Sequence, residues 1–233
     1  AAGAGVAVAK HGNRSASSRC GSADVLEALG VAIDLPPEAV AACIDEIGVG
    51  FLFARALHGA MKHVAPVRQE LRVRTVFNLL GPLTNPAEAD AQMMGVFDPV
   101  HVEPVAHVMR GLGVRHAFVV SGLDGLDEIS LSGPSRVAEL KHGKVVVFEV
   151  CPEDFGFARV DRAFLHGGDP AENAGILRAI LSGERGPRRD AVVLNTAPGL
   201  VAAGIAEDIP RGILLAAESL DSGAALAKLE ALI

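Results

Sequence analysis

Residues 92–128 read QMMGVFDPVHVEPVAHVMRGLGVRHAFVVSGLDGLDE, and the order of patterns in them decides the fold class. Gln92 to Phe97 is a short apolar run of strand length. Val100 to Leu112 has helical character and is stopped by Gly113. Ala117 to Ser121 is a second apolar run, followed by the acidic turn GLDGLDE. Strand, helix, strand in that order is a βαβ unit, whose crossover helix joins a parallel pair.

Upstream the same alternation is visible. Val6 to Ala9 reads as a buried strand, although four residues also suit a helix end. A helix follows, with Ser22 as its cap, Asp24 at its positive end, Val25, Leu26 and Leu29 on its apolar face, and Gly30 as its stop. Pro36 and Pro37 start another, in which Val40, Cys43, Ile44 and Ile47 form one core-facing stripe before Gly48 and Gly50 end it. Phe51 to Leu80 reads as two or three short helices broken at Gly59 and Pro66, closing on the turn signal GPLTNP at 81–86. Downstream, Ile129 to Leu140 and Lys144 to Val150 read as strands with turns at Gly133-Pro134 and His142-Gly143, and Pro170 to Ile233 is mainly helical. The expected fold is α/β, a mostly parallel sheet flanked by helices.

The totals narrow the function classes. With 233 residues, half of them hydrophobic, the chain can bury a sizeable core. No stretch approaches the roughly 18 to 20 apolar residues of a membrane span, so no membrane role and a cytoplasmic location are expected. Three cysteines, Cys20, Cys43 and Cys151, lie far apart without C-x-x-C pairing, which suggests neither disulfides nor zinc. A net charge of −7 with mixed signs argues against a broad nucleic-acid surface.

Against that background the stretch KHGNRSASSRCGS, Lys10 to Ser22, stands out for its cations, hydroxyls and glycines. In open parallel sheets ligands sit beyond the carboxyl ends of the strands. The basic stretch follows one strand and the acidic turn another, so a common parallel sheet is expected to bring both to the same edge. Phosphates favour Lys, Arg, serine hydroxyls and backbone N–H groups, whereas Mg²⁺ favours one or two carboxylates together with phosphate oxygens and water. A magnesium-bound polyphosphate satisfies both segments, though either alone also reads as a solvated turn.

Taken together these motifs resemble the anthranilate phosphoribosyltransferase family. KHGNRSASSRCGSADVLEALG resembles its diphosphate loop and following helix, GAMKHVAPVRQEL and RTVFNLLGPLTNP its central helices, GLDEIS its metal motif, and PEDFG and GGDPAENA its later segments. The resemblance spans nearly all 233 residues in order. It implies a nucleoside phosphorylase/phosphoribosyltransferase-like fold with part of a small helical domain. It also implies transfer of the phosphoribosyl group of phosphoribosyl pyrophosphate to anthranilate in tryptophan biosynthesis, and assembly as a homodimer. Lys10, His11, Gly12, Asn13, Arg14, Ser15, Ala16, Ser17, Ser18 and Ser22 would contact phosphoribosyl pyrophosphate, Asn13 and Arg68 anthranilate, and Asp127 and Glu128 Mg²⁺. By pattern alone Arg68 reads more readily as an exposed helical cation, and only the resemblance turns it toward anthranilate; Cys20 is read as packing, and His11, His58 and His63 are given no proton-transfer role.

The family also differs from this sequence. It shows a leading helical domain, a Gly-Thr-Gly-Gly-Asp loop and an Asn-x-Ser-Thr segment that supplies a metal-ligating serine, and it shows prolines where Arg55 and Gly59 stand here. The sequence is accordingly expected to be an N-terminally incomplete α/β domain over 1–233, with helices at about 58–85 that would dock on the missing helical domain. Such a chain by itself is expected to bind phosphoribosyl pyrophosphate weakly, turn over little and form dimers poorly. Two rival readings share the fold: a pyrimidine-nucleoside phosphorylase, and a DNA-binding relative without activity. The asparagine after Gly12 and GLDEIS favour the transferase over the first, and the acidic net charge argues against the second.

Overall fold

A computed structural model describes residues 1–15, 19–54 and 77–233. The chain divides into two compact units, one of Ala1–Val6, Ala89–Gly167 and Leu177–Ala227, the other of Ala7–Glu88, Gly168–Ile176 and Lys228–Ile233.

The smaller unit is built on a parallel strand pair, β1 (Val8–Gly12) and β2 (Val49–Phe53), in the register Val8 to Val49 through Gly12 to Phe53. Between them run α1 (Ser22–Ala28) and α2 (Pro37–Ile47). Pro37 opens α2 where its missing N–H costs nothing, and Gly48, at φ 89°, closes it in the left-handed conformation that side chains resist. The Lys228 ammonium donates to the Ile47 carbonyl at 2.5 Å, satisfying one of the unpaired carbonyls at the end of α2. Ala23, Ile33, Phe51 and Phe53 form the unit's core with Leu26 packed against it.

Several expectations are corrected in this unit. β1 runs on through Lys10, His11 and Gly12, and Val49–Phe53 is a strand where a helical stretch was expected from Phe51. The reason is mutual: each run is too short to identify by period, and each is fixed by pairing with the other. Gly50 does not end α2 but lies in β2, where a Cβ would come within 2.8 Å of the Val40 carbonyl oxygen. Farther on, α3 (Phe77–Leu83) carries Gly81 and Pro82 inside the helix, so the turn signal begins to act only at Thr84. Most of the expected helical stretch 58–85 lies outside the described residues.

The larger unit holds the four-stranded sheet β3 (Ala91–Gly95), β4 (His116–Gly122), β5 (Ser135–Lys141) and β6 (Lys144–Val150), in that order. β3 and β4 are parallel and joined by α4 (Val102–Gly111), the βαβ unit read from the sequence. β5 and β6 are antiparallel additions, so among the described residues parallel pairing is confined to β1–β2 and β3–β4, and the strands that lead into the basic and the acidic segments belong to two sheets rather than to the one expected. The connections explain this: the two-residue turn at His142-Gly143 permits only a hairpin, and the chain from β4 to β5 contains no crossover helix. Every residue of β4 is buried, as expected of a strand covered on both faces, and Phe118, Val119 and Val120 are among the best-buried side chains. α4 packs on β4 and β5, and α6 (Pro187–Ala202) on β3 and β4. The remaining helices are α5 (Pro170–Leu181), α7 (Ile209–Asp221) and α8 (Ala224–Leu232). No helix among the described residues is long and apolar enough to cross a membrane.

Candidate functional site

The basic segment starts within β1, where Lys10 is exposed and pairs across the strands with Phe51. Beyond Gly12 the backbone folds back on α1. The Asn13 carbonyl accepts the Ala23 N–H at 3.2 Å and the Ser22 hydroxyl at 3.4 Å. Ser22 is therefore the first helical residue, and Gly21 takes the cap position assigned to it from sequence.

Asp24 organises the turn. One of its carboxylate oxygens accepts both the Gly21 N–H at 2.8 Å and the Ser15 N–H at 3.0 Å, and the other accepts from the Arg14 guanidinium at 3.2 Å. Those backbone donors, followed by Arg14, hold the Asp24 carboxyl below its ordinary value. Arg14 also makes a two-pronged contact with Glu27, at 2.7 and 3.0 Å, and lies 5.8 Å from the centre of the Phe53 ring. The Glu27 contact, then that with Asp24, raises the guanidinium pKa above its already high ordinary value. Gly21 is needed for space rather than conformation: at φ −103° any residue fits the backbone, but a Cβ would overlap the Ser15 nitrogen and lie 2.7 Å from the Arg14 carbonyl carbon. Arg14 and the Ser15 amide are thus engaged within the loop, whereas Lys10 and Arg19 are exposed. Ala16, Ser17, Ser18 and Arg68 lie outside the described residues.

The acidic segment is held differently. Gly122, ending β4, donates to the Leu126 carbonyl at 2.7 Å, and Gly125 turns the chain at φ 86°. Asp124 is consumed internally, accepting the Ser130 hydroxyl at 2.7 Å and the Leu126 N–H at 3.3 Å, while Arg162 donates to its carbonyl at 2.7 Å. Asp127 and Glu128 remain exposed. Their backbone is fixed by two residues the sequence did not single out. A Cβ on Gly95, the last residue of β3, would overlap the Asp127 carbonyl. Asn195 of α6 accepts the Ile129 N–H at 2.7 Å and donates to the Ile129 carbonyl at 2.9 Å. An asparagine following the apolar run AVVL is the signal that could have found it.

No group of three or more His, Cys, Asp or Glu side chains among the described residues could cage an ion. Two neighbouring exposed carboxylates suit Mg²⁺, which draws one or two ligands from protein and the rest from phosphate and water.

A parallel strand pair leading into a polar, phosphate-suited loop in one unit, and an acidic turn at the end of a buried parallel strand in the other, are features of a phosphoribosyl-transferring α/β class. The glycosyl transferase family, a/b domain, matches residues 1–226. The anthranilate phosphoribosyltransferase of Symbiobacterium thermophilum is 59% identical over 229 residues, covering 98% of this chain and 67% of that protein. That of Moorella thermoacetica is 57% identical over 232 residues, covering 100% and 68%. Among solved structures, the Thermus thermophilus anthranilate phosphoribosyltransferase matches with a TM-score of 0.93 at 52% identity, covering 99% of this chain and 69% of that one. The Saccharomyces cerevisiae enzyme in complex with PRPP and Mg matches at 0.89 and 30% identity, covering 100% and 66%. The chain belongs to the glycosyl transferase family and, within it, to the anthranilate phosphoribosyltransferases of tryptophan biosynthesis. It spans about two thirds of the length of these relatives.

Proposed function

We propose that this protein transfers the phosphoribosyl group of phosphoribosyl pyrophosphate to anthranilate, releasing pyrophosphate. The observation that carries the reading is 59% identity to an anthranilate phosphoribosyltransferase across 98% of the chain. Lys10 and the segment His11, Gly12, Asn13, Arg14, Ser15, Ala16, Ser17, Ser18 and Ser22 bind the diphosphate sugar. Asn13 and Arg68 receive anthranilate, with the planar guanidinium of Arg68 suited to its carboxylate. Asp127 and Glu128 hold Mg²⁺, which when bound neutralises charge on the pyrophosphate. The assembly is a cytoplasmic homodimer.

The reaction needs no covalent protein intermediate. The bond from ribose C1 to the pyrophosphate oxygen breaks, positive charge builds on the sugar, and the aromatic amine bonds to C1 and gives up a proton. The nucleophile is weak, so positioning and stabilisation of the leaving pyrophosphate are the contributions required of the protein. Arg14 reaches phosphate only by sharing or leaving Glu27, whereas exposed Lys10 can meet it directly.

Anthranilate fluorescence tests this. The full-length protein with phosphoribosyl pyrophosphate and Mg²⁺ is expected to consume the signal, and Lys10→Gln to weaken phosphoribosyl pyrophosphate binding more than Arg14→Gln does. Phosphate-dependent cleavage of a pyrimidine nucleoside without anthranilate consumption would overturn the reading.

A further inference from the structure

We propose that Asn195 is a positioning residue that sets the direction of the Asp127–Glu128 carboxylates before a divalent cation arrives. The proposal rests on the metal-binding role given to that pair above.

Glu128 is flanked by two peptide units, and both are restrained. The one before it contains the Asp127 carbonyl, packed so closely on Gly95 that no Cβ fits between them. The one after it contains the Ile129 N–H, which donates to Asn195 Oδ1 at 2.7 Å. Asn195 Nδ2 returns a bond to the Ile129 carbonyl at 2.9 Å and reaches the Ala191 carbonyl of its own helix at 3.1 Å. One amide side chain thus pairs with both backbone groups of Ile129, as a neighbouring strand would, at a point outside the sheet. Ile129 is only 1% exposed, so water is a poor substitute partner.

Satisfying buried polar groups needs one contact for each, and many arrangements provide that. Here the two contacts come from one planar group anchored to α6, which ties down the peptide units on both sides of Ile129 and with them the root of the Glu128 side chain. The carboxylates are exposed while their backbone is held from beneath, the arrangement by which outer residues tune metal ligands.

The test follows Mn²⁺ uptake by the full-length protein, read from the free-ion paramagnetic resonance signal, with phosphoribosyl pyrophosphate present and anthranilate omitted so that nothing turns over. Asn195→Ala is expected to weaken uptake about tenfold. Asn195→Asp, which keeps the acceptor for the Ile129 N–H but sets an oxygen against its carbonyl, is expected to weaken it similarly. Phosphoribosyl pyrophosphate binding in EDTA should not change, and adding Asn195→Ala to Asp127→Asn/Glu128→Gln should cause no further loss of Mn²⁺. A folded Asn195 variant with wild-type uptake overturns the proposal, as does an equal loss in the carboxylate-free background, or failure of both variants to fold. If Asp127→Asn/Glu128→Gln itself keeps wild-type uptake, the metal role of the pair is what fails.

Discussion

The two polar segments solve the same problem by opposite means. The basic one is held by its own charges: Asp24 gathers two backbone donors and Arg14, and Arg14 grips Glu27. In the acidic one the backbone of the carboxylate pair is held by neutral groups of its scaffold, the Asn195 amide and the bare Cα of Gly95, while the Asp124 carboxylate and Arg162 close the turn before it. A charge spent on holding a loop is less available to a ligand, whereas a neutral clamp holds the backbone at Asp127 and Glu128 and leaves both residues exposed. The contrast predicts that the first segment responds to pH and salt and the second to shape.

Shape is tested most severely at Gly95. In Gly95→Ala the methyl overlaps the Asp127 carbonyl, backbone against backbone, so the turn must move as a whole. The expected cost is about 3 kcal/mol in chemical denaturation, at the upper end for overpacking, together with weaker Mg²⁺ dependence of activity. A variant as stable and active as wild type would mean that the acidic turn is not held from beneath. Gly21→Ala makes the parallel test in the basic segment. Its Cβ meets backbone atoms of Ser15 and Arg14, a milder overlap than that at Gly95, so about 1 to 2 kcal/mol is expected, with a raised KM for phosphoribosyl pyrophosphate. A larger loss at Gly21 than at Gly95 would reverse the comparison.

How much of this was legible depends on how far apart in sequence the partners lie. The βαβ unit from Ala91 to Gly122 was readable because strand length, helix period and a glycine stop agree within about thirty residues. The exposed position of Asp127 and Glu128 in a turn after β4 was readable from the acidic run itself. β2 was not, because VGFLF has no period of its own and becomes a strand by pairing with β1, some forty residues away. Asp24 was legible as a residue suited to a helix start, but its hold on Ser15 was hidden, since that contact depends on the loop folding back. Asn195 was least legible. It lies 66 residues from Ile129 and bears no charge, so only its place after an apolar run marked it. Neutral clamps leave little trace in a sequence, whereas charged ones advertise themselves.

The smallest expected effect gives the sharpest sign. Asp24→Asn keeps an acceptor but loses the charge, and is expected to cost about 1 kcal/mol at neutral pH, the scale of a single charge-assisted hydrogen bond. Because the folded state holds the Asp24 carboxyl below its ordinary value of 3.8, the charged form is the one that stabilises the fold. Its contribution is complete above that value and is lost as the pH falls through the lower folded-state pKa. The stability gap between wild type and Asp24→Asn should therefore stay constant from pH 7 to about pH 5 and close in more acidic solution. Urea denaturation at a series of pH values reads this directly. A gap that persists in acid would show that geometry rather than charge holds the basic segment, and the contrast between the two loops would then dissolve.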